Sequence, residues 1–244
     1  MSDLIRVERG GPARWIRLGS GDGNFLDLPA IQALTDAVSD PATDAERLII
    51  LEGYGAHFSC GRAPGGGFGA DIDSLTLAAK VAKPILALYA AVRSCRLPVV
   101  AAVRGRALGL GCALAVSCDL TWAQAGSTFS LPELDKDLPP TLALTALVPR
   151  VGAKAAAELV FSRREIGAEE ARMIGICARV LERDDLDAEL NLLQQRMAGN
   201  SLRSLATVKA YLATTAFGAQ EQMSDIAAEL ISASLAENLK DRRG

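Results

Sequence analysis

Apolar and polar residues alternate over 5–9 and again over 14–18, on either side of Gly10-Gly11-Pro12, and this period of two predicts an antiparallel hairpin with one wet face. The period then lengthens. Leu28, Ile31, Leu34 and Val38 recur at helical spacing, predicting a helix over 28–38 with Pro29 in its first turn. A compact apolar strand over 48–51 runs into a turn-rich stretch from Gly53 to Gly61. A helical pattern over 75–93 follows, which Lys83-Pro84 should kink or split, because proline lacks a backbone donor and clashes with the preceding turn.

The stretch VVAAVRGRALGLGCALAVSCDL, residues 99–120, organises the chain: it reads as strand, glycine-interrupted turn, buried alanine-rich helix, and a second strand starting after Asp119. A short strand is expected over 128–131, and Pro132 then forces an extended approach to Glu133 at a strand end. From Thr141 the pattern is helical, over 141–148, 153–161, 168–174, 187–197, 202–214 and 220–239, with one strand returning over 177–181. Strands with intervening helices first and helices last give an α/β core with a helical tail, and apolar stripes on such a tail mark subunit contacts.

Composition narrows the function. With 244 residues, half of them hydrophobic, the chain buries a large core without metal or disulfide, and one large domain plus an appendage is the simplest division. A net charge of −3 with no long Lys/Arg block argues against nucleic acid as the main partner, leaving small molecules or protein subunits. The first residues hold no signal-like apolar core, and no run of about 18 uninterrupted apolar residues follows, so a soluble, cytoplasmic protein that does not enter membranes is expected. Five cysteines with no C-x-x-C pair signal neither a disulfide framework nor a zinc site, and are expected to be buried thiols.

At Gly109-Leu110-Gly111 the strand hands over to the helix. Backbone N–H groups at a helix start lack intrahelical partners and suit an oxygen gaining negative charge, though a close-packed turn without ligand fits the pattern equally well. GLGCAL invites a dinucleotide-binding reading, but Leu114 stands where G-x-G-x-x-G needs glycine. The glycine-rich loop 65–69 lacks the G-K-[ST] ending of a phosphate cradle. The single histidine, His57, lies two residues from Ser59, too close in sequence for a nucleophile–base pair, and reads as a turn residue capping backbone; hydrolase chemistry at Ser59 or Cys60 is a distant alternative. Glu133 has apolar neighbours whose desolvation would raise its pKa toward the range useful for proton transfer, while Asp135 and Asp137 nearby fit a plain surface glutamate as well.

Taken together, LIILEGYGAHFSCG, LPVVAAVRGRALGLGCALAVSCDL, FSLPELDKDLPP and VGAKAAAELVFSRREIGAEEARMIGI, in that order, resemble the crotonase superfamily of enoyl-CoA hydratases and isomerases, over roughly residues 24–181. Within it, HFSxG at 57–61 and the Ser201-Leu202-Arg203 tail are most similar to cyclohexadienecarbonyl-CoA hydratases. The resemblance implies a spiral of ββα units over 1–190 that binds an acyl-CoA thioester, and a helical region over 191–244 that builds homotrimers or homohexamers. It implies no cofactor beyond the coenzyme A that is part of the substrate. By motif position, the N–H groups of Arg62 and Leu110 would hold the thioester oxygen as an enolate forms, each such donor contributing about 3 kcal/mol, and Glu133 would transfer the proton. Cys60, Gly61, Ala63, Gly109, Gly111, Ala113 and Asp137 would surround the substrate, with Asp137 as a reserve acid.

Three departures matter. The family's hydratases usually carry a glutamate where this chain has Ala113, and one surviving acid favours isomerase-type or other enolate chemistry over efficient hydration. A catalytically weakened paralogue that binds acyl-CoA or partner subunits without turnover is the alternative. Leu110 replaces a glycine and should narrow the acyl pocket. Arg62-Ala63 stands where Ala-Asp is common, and the Arg62 side chain is expected to be solvated or to face a CoA phosphate rather than an acyl carboxylate.

Overall fold

The computed structural model describes residues 5–19, 21–64, 73–217, 224, 228–229 and 231–233. Strands β1 (Ile5–Gly10) and β2 (Ala13–Leu18) form the expected antiparallel hairpin. Helix α1 (Leu28–Ser39) follows, its first turn capped by the Asp27 side chain, which accepts from the Ala30 N–H at 2.8 Å. Strand β3 (Leu48–Gly53) then pairs parallel with β2.

The helical run after it comes in three pieces: α2 (Ser74–Leu77), a π-helical turn (Ala78–Ala82) and α3 (Lys83–Ser94). The run is thus divided at Lys83-Pro84, as expected, with Pro84 in the first turn of α3. The wide turn just ahead of it makes room for the ring and for the missing N–H. This run is long and apolar enough to cross a membrane by length and composition; here Leu77, Ile85, Leu88 and Val92 bury it against the sheet.

The organising stretch contains one more strand than expected. After β4 (Val99–Val103) comes β5 (Arg106–Leu108), then α4 (Leu110–Ser117) and β6 (Leu120–Gln124). Next are β7 (Thr128–Ser130), a 3₁₀ turn (Glu133–Lys136) and α5 (Thr141–Ser162), which merges two expected helices across a break at Gly152. The chain closes with β8 (Ile166–Gly167), α6 (Ala168–Met173), β9 (Arg179–Leu181), α7 (Asp185–Ala198) and α8 (Leu202–Phe217). The division expected at residue 190 falls inside α7. Loop 65–69 and most of the helix expected over 220–239 lie outside the described residues.

From β4 to β7 the strands fall alternately into two sheets. The larger has the order β1-β2-β3-β4-β6-β9, parallel from β2 onward, and the smaller is β5-β7-β8. Ser59 extends the smaller sheet by a parallel bridge to Ala107. A long strand, a short strand and a helix thus repeat along the chain, the expected ββα spiral. Both faces of the larger sheet are covered: Ile49, Leu51, Val99 and Ala101 pack toward α1 and α3, while Leu48, Ile50, Val100 and Trp122 pack against Leu186 and Leu190 of α7. Helix α8 is tied down by the buried Lys209, whose Nζ donates to the carbonyls of Val92 (2.7 Å) and Leu97 (2.8 Å) and pairs with Asp119 at 2.9 Å.

One buried charge is fully satisfied. Arg14 and Glu46, at 0% and 1% exposure, form a two-pronged pair (3.0 and 2.6 Å), and the guanidinium also donates to the carbonyls of Ala37, Asp40 and Pro41. Removing one partner strands the other in a dry interior. Arg14→Leu is expected to lower the unfolding free energy by about 3–5 kcal/mol, read by urea denaturation; an unchanged midpoint would show that the pair holds nothing together.

Candidate active site

Two glycines shape the turn from β5 into α4 by what they leave out. Gly109 has φ 51° and ψ −118°, and a Cβ there would lie 2.7 Å from Glu133 Oε1. A Cβ on Gly111 would lie 2.2 Å from the Ser59 carbonyl oxygen. With hydrogen in both places, the start of α4 packs directly on two other backbone segments. Leu110 is the first residue of the helix, and the Gly109 N–H is held by the Ser130 carbonyl at 2.9 Å.

The segment after β3 arrives from the other side. Gly61 accepts from the Leu26 N–H and Ala63 donates to the Leu26 carbonyl, both at 2.9 Å, a parallel bridge that turns the N–H of the intervening Arg62 away from Leu26. A Cβ placed on Gly61 would sit 3.8 Å from the Leu110 nitrogen. The 61–62 and 109–110 backbones are therefore neighbours.

A cavity of about 360 Å³ opens against both. Its wall is mainly apolar, with Val81, Ile85, Leu110, Leu142 and Ile231 among the lining side chains, and Glu133 and Tyr89 enter it. Burial pushes the Glu133 carboxyl up to about 7; its own backbone N–H and the Lys136 charge pull the other way but do not offset the lost hydration. Glu133 Oε2 is buried and has no hydrogen-bond partner among the described residues. A carboxyl near neutrality in a dry cavity can both take and return a proton at physiological pH.

Of the residues anticipated from sequence, Glu133, Arg62, Leu110, Cys60, Gly61, Ala63 and Gly109 all line this one cavity. Three do not. Gly111 faces the Ser59 carbonyl behind the wall, Ala113 is fully enclosed within α4 and its methyl group does not reach the cavity, and Asp137 ends the 3₁₀ turn in a left-handed conformation with its side chain exposed. The Arg62 guanidinium is half-buried at the cavity rather than solvated, and burial lowers its pKa. Leu110 is buried and its side chain is part of the cavity wall.

His57 is a backbone cap: its Nδ1 accepts from the Arg106 N–H at 3.2 Å. The fully buried Ser59 hydroxyl donates to the Asn24 carbonyl and accepts from the Gly61 N–H, so it has a local structural role rather than a nucleophile's. Cys112, Cys118 and Cys177 are buried, whereas Cys60 and Cys95 are only partly so. Sequence reasoning passed over Tyr89, although a single phenol among the aliphatic residues Ile85, Leu88 and Val92 was a readable signal.

A model of the family described as enoyl-CoA hydratase/isomerase matches residues 17–242. The chain belongs to the enoyl-CoA hydratase/isomerase family. It is 30% identical over 205 residues to cyclohexa-1,5-dienecarbonyl-CoA hydratase of Thauera aromatica, covering 82% of this chain and 76% of that one. It is 28% identical over 225 residues to the peroxisomal Delta(3,5)-Delta(2,4)-dienoyl-CoA isomerase of Arabidopsis thaliana, covering 86% and 78%. Among solved structures, an enoyl-CoA hydratase from Mycobacterium avium superposes with a TM-score of 0.86 at 25% identity, over 99% of this chain and 94% of the other. The crotonase fold anticipated from the motifs is therefore the fold of the chain, and this enoyl-CoA hydratase/isomerase family member has hydratase and isomerase relatives alike.

The raised carboxyl has a thermodynamic signature. Below about pH 4.5 Glu133 is protonated folded and unfolded alike; between 4.5 and 7 the unfolded chain releases a proton that the fold retains, so stability falls as pH rises and the loss is complete above 7. Glu133→Gln should therefore match the native protein in thermal midpoint near pH 4.5 and exceed it by roughly 5 °C at pH 8. Equal midpoints at both pH values would mean that the ionised carboxylate is not desolvated.

Proposed function

We propose that this family member acts on an acyl-CoA thioester through an enolate, with the backbone N–H groups of Arg62 and Leu110 holding the thioester oxygen and Glu133 as the single proton-transfer acid/base. The observation that carries the reading is Glu133 itself: a buried carboxyl at about 7, with one oxygen unpartnered, against the residue that starts α4. When the α-proton leaves, negative charge gathers on the thioester oxygen, and two backbone donors in a dry site stabilise it without reorganising. The half-helical charge at the start of α4 adds to this.

With a methyl group at position 113, the chemistry is isomerase-type or an atypical hydration. Leu110, Val81, Ile85 and Leu142 give the acyl group an apolar seat. Assembly into homotrimers or homohexamers belongs to the same reading, with the exposed Val208, Tyr211 and Leu212 on α8 as a contact face. The missing acid at 113 also favours a second reading, a paralogue that binds acyl-CoA without turnover.

Exchange of α-protons of saturated acyl-CoA thioesters for deuterium, followed by mass spectrometry, tests the proposal directly. Glu133→Gln should cut the exchange rate by about 100-fold or more while calorimetry shows thioester binding retained; an undiminished rate would remove Glu133 from the chemistry. Binding with no exchange by the native protein would establish the second reading. Because the carboxylate is the form that takes the proton, the exchange rate in the native protein should rise with pH and level off above about 7. A flat profile from pH 5 to 9 would assign the proton to another group.

A further inference from the structure

Position 113 offers no second acid, but a different polar residue lines the cavity. Tyr89 lies on α3 at 1% exposure and lines the same cavity as Glu133, Gly109 and Leu110. It is the one hydroxyl in a stripe that otherwise presents Ile85, Leu88 and Val92. A phenol in an apolar wall is costly unless its oxygen has a polar partner. Glu133, on the wall of the same cavity, has its Oε2 buried without one. The two groups are near enough to sense each other, since the Glu133 charge adds to burial in raising the Tyr89 pKa. A water molecule is retained in a largely apolar space when two or more polar groups border it, and Tyr89 and Glu133 both line this one.

We propose that Tyr89 is the positioning residue for hydration, holding a reacting water between its hydroxyl and the Glu133 carboxyl, so that one carboxyl and one phenol replace the usual pair of acids. This rests on the enolate reading above. In the step itself, Glu133 as carboxylate takes one proton from the water, and the water oxygen forms a bond to C3 of a 2-enoyl-CoA. The C2=C3 π pair shifts to make the C1=C2 bond of the enolate, and the carbonyl pair moves onto the thioester oxygen held by the Arg62 and Leu110 amides. The enolate then collapses, C2 takes the proton back from Glu133, and the carboxylate is restored. One water is consumed and a 3-hydroxyacyl thioester results, with no oxidant or reductant. Tyr89 keeps its proton throughout and fixes the water's orientation by hydrogen bonding.

The test compares two rates on the same protein: addition of ¹⁸O-labelled water to a straight-chain and a cyclic 2-enoyl-CoA, and α-deuterium exchange into the corresponding saturated thioesters. Both pass through the enolate, but only the first needs the water. Tyr89→Phe, which keeps the ring and removes the hydroxyl, should lower the ratio of hydration to exchange about 30-fold, through kcat rather than KM, as expected for a lost hydrogen bond to the reacting group. Tyr89→Met, a flexible filler, serves the same purpose if the phenylalanine variant does not fold. A ratio within threefold of the native value overturns the proposal. So does a native protein that exchanges α-protons yet adds no water to either enoyl thioester, an outcome that leaves the role of Glu133 standing. A native protein that does neither overturns both readings.

Discussion

The site depends on a backbone approach that no side chain would permit. Glu133 is dehydrated because its carboxyl rests against Gly109, with Oε1 only 2.7 Å from where a Cβ would stand. The helix start at Leu110 reaches the 59–61 segment because Gly111 likewise has no Cβ to collide with the Ser59 carbonyl. The wider topology supplies the third condition. Pairing of β5 with β7 in the smaller sheet and the bridge from Ser59 to Ala107 bring these strand ends to one place, so the segments leading to residues 61, 109 and 133 emerge side by side.

Two buried carboxylates in this fold show what satisfaction decides. Glu46 meets the Arg14 fork and the Thr43 N–H; although burial alone would raise its pKa, those hydrogen bonds hold it below the ordinary carboxylate range. Glu133 is also dehydrated, yet Oε2 finds no partner and the carboxyl is pushed up to about 7. The first arrangement fastens the β-hairpin to the end of α1. The second leaves a group whose protonation is finely balanced, on the wall of a cavity and with one oxygen lacking a hydrogen bond, a local destabilisation that the rest of the core sustains.

The sequence carried most of the fold because most of its elements have a clean period. The hairpin, α1, β3 and β7 all emerge near their expected bounds, since alternation, a helical stripe or a compact apolar run marks each of them. The short strands β5 and β8 carry no such signal: Arg106 to Leu108 read as part of a turn. Around the site, the motif positions 60–63, 109–110 and 133 converge because each is fixed by backbone, whose course a motif records. Asp137 and Ala113 lie off the cavity lining because their places depend on side-chain reach: Asp137 closes the 3₁₀ turn in a left-handed conformation, and the Ala113 methyl group stops inside its own helix. Tyr89 was passed over for a related reason: a stripe of apolar spacing identifies which face is buried, not that part of this face borders a cavity.

What distinguishes chemistries within such a family is therefore not the scaffold. This chain's relatives include a hydratase and a dienoyl-CoA isomerase at nearly equal identity. A backbone that stabilises an enolate serves both reactions, because the enolate is common to both. The outcome is set by what the enolate meets next: a carbon position within reach of the same carboxyl gives isomerisation, and an ordered water gives hydration. On the proposal that Glu133 is the single acid, alanine at 113 hands that choice to the polar groups of the cavity wall, which Tyr89 of α3 and Glu133 both line.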